Sequence, residues 1–409
     1  MIRLLRTLCC ALLLAGGAGG LTPIHGESAL DAGSEAGFDP GVDSVLGELG
    51  QRACLAMVAR TAPLKGSAPI ALTSSPGCDT LKSLTPAAGR IRVRRAQAQN
   101  LPNGTLVGRQ RIAANDVIAL DVVSYASSGL TVGGLLCYPN DGNRHSAVIH
   151  VPGGLGGVFS AALGDMVQTC INWASLHGRT AFAPSLRGND GSEGHPELCL
   201  GEADDVIAAA TMLRTLEVTD ATRLGVLGGS IGGCVALHAA PRIPNLKAVV
   251  AFVPPTSWKD LVQYHRTQWA PTTEIDCADE LIEWTIGGPP LADALDSLIC
   301  GHEQCSDSEY IARSPLPYVA AQSAPTMIVS AELDNVVPVV QHLLWSLFRQ
   351  GAGHPVNVIL VDKCDAPGTP PLTMDVHVLA LRANHLLASG PISSGMLFLM
   401  AQLDGVSPP

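Results

Sequence analysis

Apolar and polar positions along this chain change their rhythm near residue 116. Before that point, residues 21 to 115 mix Ala, Gly, Ser and Pro with scattered apolar patches. Within them, "GVDSVLGELGQRACLAMVAR" has the spacing of a helix, and "NLPNGTLVGRQRI" reads as a turn followed by a strand. After it, "VIALDVVSYAS" and "LTVGGLLCYP" are two β-rich runs meeting at Ser128-Gly129, which predicts antiparallel pairing. "HSAVIHVP" is continuously apolar and ends in "GGLGG", the pattern of a strand buried on both faces. A helix is expected near 160–176, then a strand at "TAFAPSLRG". "GEADDVIAAATMLRTLEV" places Ala203, Val206, Ile207, Ala210 and Leu213 at helical intervals. A strand at "RLGVLGG", a helix from Ile231 and a strand at "LKAVVAFVPP" follow.

Between about 256 and 323 the alternation stops. This segment carries Trp258, Trp269 and Trp284 together with Cys277, Cys300 and Cys305. It reads as a cap insertion whose aromatics either line a substrate pocket or form a small core of their own. The rhythm then resumes with a strand at "APTMIVSAE" and a helix at "VVPVVQHLLWSLFRQG" closed by Gly351. The last strand is either "VNVILVD" or "VHVLALR", ahead of a terminal helix at "GMLFLMAQL". Strands alternating with helices predict an α/β domain over 116–409, with a mostly parallel central sheet and helices on both faces.

Composition narrows the possibilities. Apolar residues make up 47% of the 409 positions, enough for a sizeable core. The formal net charge is -11 and no basic block occurs, which excludes a nucleic-acid partner. "MIRLLRTLCCALLLAGGAGG" opens with Arg3 and Arg6, continues apolar from Leu8 to Ala15 and ends in small residues, as an export signal does. Its apolar part is too short to span a bilayer. The expectation is therefore a secreted or periplasmic protein, with a signal peptide at 1–20, an extension at 21–115 and no stable membrane anchor.

Removing the signal takes Cys9 and Cys10 and leaves ten of the twelve cysteines, an even count that suggests disulfides in an exported chain. Neighbours in sequence are Cys54 with Cys78, Cys170 with Cys199, and Cys300 with Cys305. Cys234, just past a glycine cluster, reads as a buried free thiol. The histidines are dispersed and no C-x-x-C pair occurs, so neither a zinc site nor another metal is expected.

The candidate chemistry centres on Gly228-Gly229-Ser230-Ile231-Gly232. In a G-x-S-x-G turn the serine is held in strained backbone between strand and helix, where side chains two residues away would collide. The apolar run Leu224 to Leu227 leads in and Cys234 to Ala240 leads out, the context this motif requires. A serine needs a base, and the base an acid to orient it. "TMIVSAELD" brings Glu332 and Asp334 to a strand's carboxyl end, and Asp334, further into the loop, is the chosen acid with Glu332 second; a helix-capping role for Asp334 is the alternative. Of the four histidines that follow, His342 falls inside a helix and His354 precedes a strand. His385 is the preferred base and His377 the alternative. Oxyanion donors are the N–H of Ile231 and one from "VPGGLGG", at Gly154 or Leu155. No phosphate-cradling pattern occurs, so no nucleotide cofactor is expected.

Five stretches together resemble a known family. "SGLTVGGLLCYP", "VIHVPGGLGG", "APSLRGNDGSEG" with "EADDVIAAATML", "RLGVLGGSIGGCVAL" and "YIARSPLPYVAAQSAPTMIVSAELDNVVP" are similar, in order, to the catalytic domain of α/β-hydrolases of the prolyl oligopeptidase and dienelactone hydrolase group. The resemblance spans residues 120 to 405 and implies that Ser230 is the nucleophile and Asp334 the acid. The histidine sits further along than the family places it, with "KCDAPGTPPLTMDV" intervening. The oxyanion strand reads "HVPGGLGG" where relatives carry His-Gly-Gly. The stretch before 116 is too short for the β-propeller of the family's peptidases. These features imply an exported esterase acting on small carboxylic esters, with short-peptide hydrolysis as the alternative. A binding protein that kept the fold would have lost a member of the triad, and here all three have candidates.

Overall fold

A computed structural model describes residues 98–155, 157–158, 166–269, 273–275, 281–283, 287–302, 305–331, 334, 336–361 and 391–406. Among them, β1 (Leu106–Ala114), β2 (Ile118–Ser127) and β3 (Leu130–Pro139) form an antiparallel meander. β1 is the strand expected in "NLPNGTLVGRQRI". Ser128 at φ 50° and Gly129 at φ 81° make the tight β2–β3 turn, the pairing expected there. Next to β3, antiparallel to it, lies β5 (Thr180–Ser185). The parallel part follows with β4 (His145–Val151), β6 (Thr219–Gly229), β7 (Ala248–Phe252), β10 (Thr326–Ala331) and β11 (Val356–Val361). The order is β1-β2-β3-β5-β4-β6-β7-β10-β11, the mostly parallel sheet of an α/β-hydrolase. "VNVILVD" thus supplies β11; "VHVLALR" lies outside the described residues.

This order decides where a site can form. From β4 the chain crosses by helix α1 (Met166–Ser175) to β5 on one side, then returns by α2 (Gly201–Thr215) to β6 on the other. Right-handed crossovers in opposite directions put α1 and α2 on opposite faces. The reversal leaves a crevice at the carboxyl ends of β4 and β6. Coverage from both sides explains why every position of β2, β5 and β7 is buried, and why β4 is buried from Ser146 onward. Tyr125 and Phe182 meet edge to face in this core, with ring centroids 5.8 Å apart.

Helix α3 (Ile231–Ala239) follows β6. The insertion after β7 consists of α4 (Trp258–Thr267), a small pair β8 (Thr273–Ile275) and β9 (Leu281–Glu283), α5 (Pro289–Cys300) and α6 (Asp307–Arg313). Trp258 is fully buried with Leu261, Val262, Ala292, Leu295, Ile299 and Tyr310. Trp269 fills the space over Gly287, where a Cβ would lie 2.1 Å from its Nε1. Trp258 belongs to the one core that also contains Val235, Val249 and Ile328, so the insertion packs onto the main domain; Trp284 and Cys277 lie outside the described residues. Beyond it come α7 (Val340–Gly351) and α8 (Pro391–Asp404). Gly351 is the last residue of α7, and the left-handed turn that stops it is two residues later, at Gly353 with φ 82°. No described helix is long and apolar enough to cross a membrane. The helix-like run in 41–60 and the first twenty residues lie outside the described residues.

The disulfides correct the expectation drawn from neighbouring cysteines. Cys137 on β3 pairs with Cys170 on α1, and Cys199 pairs with Cys234 on α3. Among the described residues, Cys300–Cys305 joins sequence neighbours as expected. Cys170 rides on α1 and Cys199 precedes α2, on the other face of the sheet, so proximity in sequence is not proximity in space. Cys234 is bonded rather than free because α3 packs against the start of α2. Cys54 and Cys78 lie outside the described residues.

A buried ion pair fixes the loop after β5. Arg187 donates to Asp205 from its backbone N at 3.0 Å, Nε at 3.1 Å and Nη2 at 2.9 Å, and Ser127 Oγ adds a bond at 2.6 Å. Burial alone would depress the Arg187 guanidinium; Asp205 and Glu197 raise it above its ordinary value instead. Asp205→Ala would strand this cation away from water. Urea unfolding of that variant should show a loss of about 3 kcal/mol or more, whereas a loss within 0.5 kcal/mol, about that of an ordinary surface change, would contradict the account.

Candidate active site

Ser230 stands where β6 ends and α3 begins, with φ 53° and ψ −125°. A non-glycine residue held there costs about 1–3 kcal/mol unless its surroundings over-determine it. They do so here. Ser230 N–H donates to Phe252 O on β7 at 2.8 Å, and Cys234 N–H donates to Ser230 O at 3.0 Å. A Cβ on Gly228 would sit 2.3 Å from Gly232 O, and one on Gly232 would sit 2.4 Å from Pro152 O and 2.5 Å from Val151 O. Those obstacles are backbone and cannot swing away. The collisions expected from the G-x-S-x-G pattern are therefore present, and half of them come from the loop after β4.

That loop, "VPGGLGG", lies directly on the serine turn. A Cβ on Gly153 would meet Gly229 O at 2.9 Å and Ser230 Cβ at 3.8 Å. Gly154 follows with φ 71°, a left-handed step that suits glycine. Ile231 is the first residue of α3, so its N–H is among the donors left over at the helix start. Gly153, which sequence reasoning did not single out, makes the closest approach that these distances record.

Asp334 is 3% exposed, and its Oδ1 accepts the N–H groups of Val336 and Val337, both at 2.8 Å. It does not cap α7, whose N-cap position is Val339 without a side-chain bond. Glu332, His377 and His385 lie outside the described residues. His342 is fully buried on α7 with Nδ1 2.5 Å from Ser330 Oγ, inside the helix as expected.

Two features escaped the sequence. Val253, just past β7, takes φ 42°, rare for a β-branched residue. Its N–H donates to Val329 O on β10 at 2.8 Å, while Phe252 O holds Ser230. One strand end thus links the serine turn to the strand that leads to Asp334. The second feature is the insertion's grip on the acid loop. Gln341 Oε1 accepts from Thr256 N at 3.0 Å and Ser257 N at 2.8 Å, and His265 bonds Val336 O at 2.9 Å. Burial lowers the His265 imidazole, with the Val336 bond and the Asp334 carboxylate opposing it. Burial and then that carboxylate raise the Tyr264 phenol.

The model of the prolyl oligopeptidase family matches residues 178–283, a stretch that contains the serine turn. The chain has the α/β-hydrolase fold and, over that stretch, resembles the prolyl oligopeptidase family. Over 225 residues it is 25% identical to the uncharacterized peptidase YtmA of Bacillus subtilis (strain 168), covering 55% of this chain and 77% of that one. Among solved structures, Pyrococcus horikoshii acylaminoacyl peptidase matches with TM-score 0.47 and 16% identity over 65% of this chain. This chain spans 40% of that peptidase's length. An acetyl xylan esterase from Paenibacillus sp. R4 matches with TM-score 0.49 and 16% identity, covering 71% of this chain and 91% of that one.

The backbone contacts around Gly232 give a direct test. Gly232→Ala should drive the serine turn away from the β4 loop, lowering kcat/KM by about 100-fold and stability by about 1–3 kcal/mol. Steady-state kinetics beside a thermal melt would measure both, and a variant with parental activity would refute the steric argument.

Proposed function

We propose that this serine hydrolase is exported and cleaves small carboxylic esters through an acyl-enzyme on Ser230, with His385 as base and Asp334 as acid. The observation that carries the reading is the left-handed Ser230 turn pressed against the glycine loop after β4. A hydroxyl displayed there meets a bound carbonyl carbon while backbone N–H groups of Ile231 and the Gly154 loop face the developing oxyanion. His385 takes the Ser230 proton as the hydroxyl attacks, then returns it to the leaving alkoxide. Asp334, whose Oδ1 is held by two amides, orients the imidazole. Water then repeats the sequence on the acyl-enzyme. Ester cleavage makes the smaller demand on the acid step, because an alkoxide leaves with less protonation than an amine. The family match and the peptidase relative favour the second reading, hydrolysis of short peptides by the same groups.

A fluorophosphonate probe should label the folded chain, and Ser230→Ala should abolish labelling and lower kcat by about 10⁴-fold or more. A folded chain that stays unlabelled would sink the reading. Comparing kcat/KM for p-nitrophenyl acyl esters with dipeptidyl anilides separates ester from peptide. His385→Ala should match the loss in Ser230→Ala within about tenfold, while His377→Ala keeps near-parental turnover; the reverse result would reassign the base.

A further inference from the structure

His265 belongs to the insertion, lies 35 positions after Ser230 and is 0% exposed. Both its ring nitrogens are committed. Nε2 is 2.9 Å from Val336 O, an atom that can only accept, and Nδ1 is 3.2 Å from Gly288 N, a group that can only donate. The ring is therefore neutral with its proton on Nε2, and cannot serve as a general base. Its partner is informative. Val336 uses its N–H to hold Asp334 Oδ1 at 2.8 Å and its carbonyl to receive His265. The Val336–Val337 peptide thus joins the acid's carboxylate, through Val337 N–H at 2.8 Å, to the insertion's imidazole, through the Val336 carbonyl.

Gln341 already fastens α4 to α7 through Thr256 and Ser257, and Gln341 Nε2 adds a bond to Ser257 O at 3.1 Å. Docking of the insertion therefore does not hang on His265 alone. What His265 adds is a fixed point two residues beyond Asp334, in the turn that sets the carboxylate's direction. We infer that His265 is a positioning residue for the acid, holding the Val336–Val337 peptide so that the Asp334 carboxylate meets the catalytic imidazole. This rests on the reading of Asp334 as the triad acid.

Two substitutions separate the ring's two bonds. Asn carries its amide near the Nδ1 position, keeping an acceptor for Gly288 but falling short of Val336. Gln reaches further and restores a donor to Val336. A carboxylate that is loosely held stabilises an imidazolium less, so the imidazole's pKa falls and the acid limb of the pH profile moves down. His265→Asn should lower kcat per phosphonate-titrated serine by about 10- to 100-fold, with KM within about twofold and the acid limb of kcat/KM displaced to lower pH. His265→Gln should stay within about threefold of the parent with an unmoved limb. A purely structural role would lower the melting temperature of both without moving either limb, and that result overturns the proposal.

Imidazole ¹⁵N NMR of the parent chain provides a measurement that needs no variant. His265 should show the neutral Nε2–H form at pH 7 and change its shift when Ser230 is phosphonylated. An Nδ1–H form, or indifference to phosphonylation, overturns the proposal without touching the hydrolase reading. A parent that the phosphonate fails to label overturns the hydrolase reading, and this inference with it.

Discussion

The contact between two backbones, at the ends of β4 and β6, is the constraint on which the site depends. Val151 and Pro152 carbonyls press on Gly232, and Gly229 presses on Gly153, so the serine turn and the loop beside it share one space. Only glycine lets them approach. The strain of Ser230, about 1–3 kcal/mol, is offset by its two backbone bonds at about 1 kcal/mol each, to Phe252 and Cys234. The Cys199–Cys234 disulfide then anchors the first turn of α3 to the segment before α2. Leu198 and Cys199, both with positive φ, show that this segment too is held in an unusual conformation.

The acid side is built differently. Nothing there resembles the glycine contacts; side chains do the holding. Asp334 reaches two amides of its own loop, Val336 receives an imidazole from α4, and Gln341 bridges back to the start of the insertion. Val253 joins the halves, since its left-handed step lets β7 bond the serine turn with one residue and β10 with the next. Nucleophile and acid are therefore registered through three neighbouring strands, not through the loops alone.

Much of this could be read from the sequence because two of its codes are local. Unbroken apolar runs such as Ala248–Phe252 mark strands covered on both faces, and paired glycines around Ser230 mark a turn with no room for side chains. Both signals sit within a dozen residues of what they describe. Cys170 and Cys199 are neighbours in sequence but not partners, because the direction of each crossover, not distance along the chain, decides which face a cysteine occupies. His265 was passed over because hydrolase order directs attention to histidines after the acid, and a buried histidine with two backbone partners has no sequence pattern. The helix stop at Gly353 rather than Gly351 has a smaller cause: either glycine can adopt φ > 0, and the chain used the later one.

The two halves should respond differently to change. On the serine side the nearest obstacles to a Cβ on Gly228, Gly232 and Gly153 are backbone atoms, so a substitution of any size meets an obstacle that only a backbone shift could relieve. On the acid side the contacts run from side chain to backbone, and each can be exchanged for another donor or acceptor of similar reach. The insertion that supplies them joins the main core through Trp258, Leu295 and Tyr310, so it can alter its outer surface without disturbing that grip. A site arranged in this way keeps its nucleophile geometry nearly invariant. The adjustable contacts, those of α4 with the Val336 turn, set how firmly the acid is aimed.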